Sequence, residues 1–211
     1  TAPFYETVHP MCGSLYEPNA LLLERYNGMD VAELQRVSEL TTTTLDQFAS
    51  EHLENPAKCI KIDVQGAELD IFQGGLHTLK DVLFIVTEVE FVELYHNQPL
   101  FGDISSFLQS QGFMFHKFMG LAGRTLKPVI LGGSVYTASQ HMWSDAIFIR
   151  DLKQFDNLTS EQLLITGALA FIHGSPDLTH FCLANYEKLN PGTAVAAKFI
   201  DIITVTRESA N

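Results

Sequence analysis

The chain is predicted to be an α/β protein with a small helical appendage at its C-terminal end. Three observations carry that expectation. Short apolar runs bounded by turn signals, at 59–64 and 82–89, alternate with segments of helical periodicity. The order strand-helix-strand-helix-strand is the pattern of a layered sheet with parallel strands. After Asp151 the apolar runs give way to helical patterns broken at Gly174-Ser175-Pro176 and Asn190-Pro191-Gly192.

In chain order, residues 1–20 hold Pro3, Pro10, Gly13, Pro18 and Asn19 with little periodicity, and read as extended loop. A short strand at 37–40 leads into four threonines. Their hydroxyls and Asp46 are placed to cap a helix over 45–52, which Asn55-Pro56 stops. The run 59–64 suits a buried parallel strand. A helix beginning at Ala67 puts Leu69, Phe72 and Leu76 inward, and Gly74-Gly75 interrupts it. Residues 82–89 form the most apolar strand. Asp103 caps a helix to Gln111, and strands follow at 113–118 and 146–150. No long helical segment separates these last two strands, so they are expected as an antiparallel pair at a sheet edge. A Ser160-capped helix over 159–171 and helices over 176–189 and 193–203 make up the appendage, a lid or an oligomerisation arm. The domain division is 1–152 and 153–211.

Composition removes several function classes. The chain has 211 residues, with 13 Lys+Arg against 25 Asp+Glu and a net charge of −12. Phosphate neutralisation needs a basic face, so nucleic acid is excluded as the favoured partner. With 46% hydrophobic and 18% charged residues the chain is not disordered as a whole. Cys12, Cys59 and Cys182 are scattered, without zinc or disulfide spacing, and read as buried free thiols of a reducing compartment. No apolar run approaches a membrane span, and no basic region opens the chain as in a signal peptide, so a cytoplasmic location without membrane association is expected.

In open α/β sheets ligands bind beyond the carboxyl ends of the strands. That rule selects Asp63-Val64-Gln65-Gly66, where Asp63 is a strand-end carboxylate and Gly66 permits a sharp turn. Equally, Asp63 could simply cap the following helix. Glu88 and Glu90, two apart, share one face at the end of the most apolar strand. A carboxylate there is ligated, protonated or facing a cleft, unless the strand end is solvated. The loop 95–99, with Tyr95, His96 and Gln98, is placed to cover the site; His96 alone reads as a surface residue. Asp63, Glu68, Glu88 and Asp145 could be strung into a Mg²⁺ site, but their spacing does not demand it, and no metal is assigned. GxSxG, GxGxxG and P-loop motifs are absent, and the eight His show no zinc triad.

Leu45-Asp46-Gln47-Phe48, the run Lys61-Ile62-Asp63-Val64-Gln65-Gly66-Ala67-Glu68-Leu69, and Thr87-Glu88-Val89 closely resemble the FkbM-type family of S-adenosylmethionine-dependent methyltransferases. Residues 13–19 are similar to a serine-containing segment of that family, and 143–150 to the closing strand of some members. The resemblance covers about residues 11 to 151 and implies a Rossmann-like class I methyltransferase sheet. The strands here would be its fourth to seventh, the C-terminal part of the domain. It implies S-adenosyl-L-methionine as cofactor and O-methylation of a hydroxyl on a small molecule or sugar. Asp63 and Glu88 would be catalytic, with Asp63 and Ser14 toward the cofactor and Gln65, Glu68, Tyr95, His96 and Gln98 toward the substrate. The family's glycine-rich cofactor turn and ribose carboxylate belong before Thr1. The expectation is therefore the C-terminal part of a longer protein, with a homo-oligomer formed through the appended helices. Two alternatives stand beside it: a non-catalytic binding module that keeps the fold, and a metal-dependent hydrolase using Asp63, Glu68 and Glu88.

Overall fold

A computed structural model describes residues 1–208. The chain divides into two compact units, Thr1–Ile149 and Arg150–Asn211. In the first, β1 (Ala2–Thr7) and β2 (Leu34–Leu40) pair antiparallel, with Ala2 opposite Leu40 and Tyr5 opposite Val37. The expected loop over residues 1–20 is thus corrected. Its first residues are held extended by a partner strand far along the chain, which local composition does not reveal. The one-turn helix α1 (Ala20–Leu23) follows, capped by Asn19, whose side chain accepts from the Leu22 N–H.

Helix α2 (Leu45–His52) begins where the threonines suggest, and Thr44 alone caps it, its hydroxyl accepting from Gln47 N at 3.2 Å. Asp46 does not share that task. Its carboxylate accepts from His77 N at 2.9 Å, from Thr78 N at 2.7 Å and from the Thr78 hydroxyl at 2.7 Å, tying α2 to the turn at 78–80.

Strands β3 (Cys59–Ile62), β4 (Phe84–Glu90), β5 (Phe113–Phe118) and β6 (Trp143–Arg150) form one sheet in the order β3-β4-β6-β5. β3 and β4 run parallel, Ile62 beside Thr87, and β6 is antiparallel to β4, Glu90 beside Trp143. Every residue of β4 except Glu88 is buried, as its continuous apolar run requires of a strand covered on both faces. One face packs Ile85, Val89 and Phe148 against Phe72 of α3 (Glu68–Gln73) and against Ile104 and Leu108 of α4 (Phe101–Ser110). Phe101 meets Phe115 and Phe118 edge-on nearby.

Three local expectations change. Gly74 ends α3, so Leu76 leaves the inward face and lies exposed, while Leu79 is buried in its place. α4 starts at Phe101, and Asp103 sits in its first turn, accepting from Leu100 N at 2.9 Å. Of the three free thiols only Cys182 is buried; Cys59 is exposed.

The second unit holds α5 (Ser160–Ile172), α6 (Pro176–Leu189) and α7 (Val195–Glu208). Thr159, not Ser160, caps α5: its hydroxyl accepts from Gln162 N and its N–H donates to Gln162 Oε1. α5 and α6 approach closely at Gly167, where an added Cβ would stand 3.2 Å from Cys182 Cβ. The Thr179 hydroxyl donates to the Gly167 carbonyl at 3.0 Å. Among the described residues no helix is long and apolar enough to cross a membrane.

Candidate active site

β3 and β4 end side by side, and the residues just beyond Ile62 and Thr87 border a cavity of about 400 Å³. Asp63, Gln65, Glu88 and Glu90 form one wall, Tyr95 and Cys12 a second, and Arg124 and Trp143 a third, with Leu23, Met29 and Leu94 supplying apolar surface.

The turn after β3 makes this wall. Gln65 (φ 59°) and Gly66 (φ 98°) are both left-handed, which brings the N–H groups of Val64 and Gly66 onto one carboxylate. Glu68 accepts from Val64 N at 2.8 Å and from Gly66 N at 2.9 Å, and is itself fully buried. Asp63 is therefore not the cap of α3, whose first residue instead ties down the loop. A non-glycine residue in the left-handed region costs about 1 kcal/mol or more. Ser14 holds it there, donating to the Gln65 carbonyl at 2.6 Å while accepting from Tyr16 N at 2.9 Å.

That backbone aims the Gln65 amide across the strand ends. Its Nε2 donates to Asp63 Oδ1 at 3.0 Å and to Glu88 Oε2 at 2.7 Å. The Tyr95 hydroxyl lies 3.1 Å from Gln65 Oε1 and 2.8 Å from the Cys12 carbonyl. Gln98 Oε1 accepts from Tyr95 N at 2.7 Å and so fixes the loop that carries this tyrosine.

The wall is rich in carboxyls held away from water. Burial first, then the Asp63, Glu68 and Asp145 carboxylates, raises Glu88 from 4.5 to about 8. Glu90 is pushed well above the usual range by burial and by Glu68 and Glu88. Burial likewise raises the Tyr95 hydroxyl and the Cys12 thiol. The Arg124 guanidinium lies 4.4 Å from the centre of the Tyr136 ring and 4.8 Å from that of Trp143. Lys61 pairs with Asp145 at 2.7 Å and lies 4.0 Å from Asp63.

The structure thus brings Asp63, Gln65, Glu88 and Tyr95 together on the cavity. Ser14, Glu68 and Gln98 are buried behind it as supports of the loops, and His96 is exposed outside it. Asp63, Glu68 and Glu88 each place an oxygen within 4.8 Å of the others. The Gln65 amide donates to one oxygen each of Asp63 and Glu88, and two backbone N–H groups donate to Glu68. Glu90 was visible in the sequence only as the neighbour of Glu88 on the strand. His9, Cys12 and Arg124 had no signal: the segment around Arg124 lacks periodicity, its guanidinium lies over two distant rings, and the neighbouring Gly123 permits a close approach to the Gln140 carbonyl.

With that geometry in place, comparison with known proteins adds a family match over part of the chain. Residues 17–115 match the family described as methyltransferase FkbM domain. Over 92 residues the chain is 36% identical to the 2-O-methyltransferase NoeI of Sinorhizobium fredii (strain NBRC 101917 / NGR234), an overlap of 42% of this chain and 35% of that protein. The chain thus spans about a third of the length of the curated relative it matches. No solved structure matches it. The resemblance carried by residues 61–69 is borne out; the segments 13–16 and 143–150 lie outside the family match.

Proposed function

We propose, on the premise that residues 17–115 are a segment of an FkbM-type methyltransferase, that the cavity is where a hydroxyl of a small molecule or sugar is methylated. The observation that carries this reading is the Gln65 amide bridging Asp63 and Glu88 at the carboxyl ends of two parallel strands. The strand order β3-β4-β6-β5, with β6 reversed, supports taking these as the fourth, fifth, seventh and sixth strands of a class I sheet.

S-adenosyl-L-methionine, when bound, supplies a methyl carbon activated by its sulfonium. Among the described residues no strand passes into a helix through a glycine-rich turn. The chain's own residues handle the acceptor. Glu88 takes the hydroxyl proton, and a carboxyl raised to about 8 is matched to a proton transfer near neutral pH. Gln65 fixes its orientation, and Asp63, half exposed at the rim, directs the hydroxyl toward the donor.

Labelled-methyl transfer to a panel of sugars, with calorimetry of cofactor binding, tests this on the whole protein. Glu88→Gln is expected to lower kcat by about 10²-fold or more while the cofactor heat is unchanged. Absence of any cofactor heat at millimolar ligand would remove the methyltransferase reading. For the helical unit, exposed Phe171, Ile172 and Ile202 support pairing with a second copy of the chain.

A further inference from the structure

We propose that Glu90 is the anchor for a protonated amine, so that the acceptor is an amino alcohol, as in an amino sugar. This rests on the acceptor-site reading above. Glu90 is 1% exposed, lines the cavity, and its Oε2 has no hydrogen-bond partner. A buried acceptor left unmade costs about 1–3 kcal/mol, so its persistence on a cavity wall points to a donor that arrives with the ligand.

Gln98 Nε2 is likewise buried without a partner, and the other polar groups of the wall are committed elsewhere. Gln65 serves Asp63 and Glu88, both Glu68 oxygens accept backbone N–H groups, and the Tyr95 hydroxyl lies against Gln65 and the Cys12 carbonyl. The chain's own cations do not fill the gap. Arg124 is stacked on two rings and donates to the Gly123 carbonyl, and among the described residues it has no carboxylate within 4.0 Å; Lys61 is taken by Asp145.

Charge decides between the possible donors. Asp63, Glu88 and Glu90 share one wall where burial and proximity favour the neutral forms of Glu88 and Glu90, and a neutral hydroxyl would satisfy Oε2 without stabilising the carboxylate. An ammonium does both. A divalent metal needs six or more oxygens, and the Gln65 N–H group already lies against two of the carboxylates that would supply them. Glu88 and Glu90 are two apart on one face of β4, so a ligand with adjacent amine and hydroxyl reaches both. Holding the amine as an ammonium also ties up its lone pair, which leaves the hydroxyl on Glu88 as the nucleophile.

The test is an NMR titration of the chain with glucosamine and with glucose, at a pH where the amine is protonated. Glucosamine is expected to bind at least about tenfold tighter. Glu90→Gln should abolish the preference and Glu90→Asp should keep part of it, each with the amide spectrum of the folded chain retained. Equal affinities, no detectable glucosamine binding, a preference that survives Glu90→Gln, or displacement of glucosamine by sub-millimolar Mg²⁺ overturns the proposal. Methyl transfer without an amine preference defeats this inference alone. An amine preference without methyl transfer upholds the site and removes the catalytic reading.

Discussion

Glu88 and Glu90 are costly residues for the fold, and their cost is measurable. Glu88 holds its proton in the folded chain to about pH 8, against 4.5 when unperturbed. The folded state therefore binds the extra proton across that window, and stability from this group is full below 4.5 and lost as pH rises toward 8. Thermal unfolding at several pH values should show the decline, and Glu88→Gln should flatten it; an unchanged profile would mean the carboxyl is ionised throughout. Glu90→Gln is expected to raise Tm by a few degrees at alkaline pH, where burial opposes ionisation of this carboxyl, and by less as pH falls. Ser14→Ala should destabilise by about 1 kcal/mol, because it releases the left-handed Gln65. Asp63, Gln65 and Glu88 were legible in the sequence, since each follows from a strand-end rule applied to an apolar run. Arg124 was not, because rings from distant positions, Tyr136 and Trp143, define its place.

Elements with local signals were read closely, and those that depend on distant partners were not. α2 matches its expected span because Thr44 and the apolar spacing lie within it. β1 was missed because its reason to be extended is β2, some thirty residues on. Asp46 illustrates the same limit inside an element: its helix was legible and its partner turn was not. Burial raises its carboxyl, but hydrogen bonds from His77 and Thr78 outweigh that and lower it. Its contribution is present above 3.8 and lost as pH falls through the lower folded value. Asp46→Ala should cost about 2 kcal/mol in denaturant unfolding at neutral pH, and a loss near zero would show the turn is held by packing alone. In the segment before β6, Gly123→Ala should displace Arg124 by driving a Cβ into the Gln140 carbonyl, which ring-current shifts of Tyr136 and Trp143 would report.

At the scale of the molecule, the charge of −12 predicts that moderate salt raises Tm, since screening weakens self-repulsion. The exposed apolar residues of α5 and α7 predict self-association, detectable by sedimentation and reduced by Ile172→Asp. β3 stands at the end of its sheet, bonded to β4 on one side only among the described residues. Its amides should therefore keep two clocks in deuterium. Those turned toward β4 wait for the sheet to open, while those turned outward exchange on the timescale of solvent contact. The slower clock also times the turn that carries Gln65, because that turn hangs from the last residue of the strand.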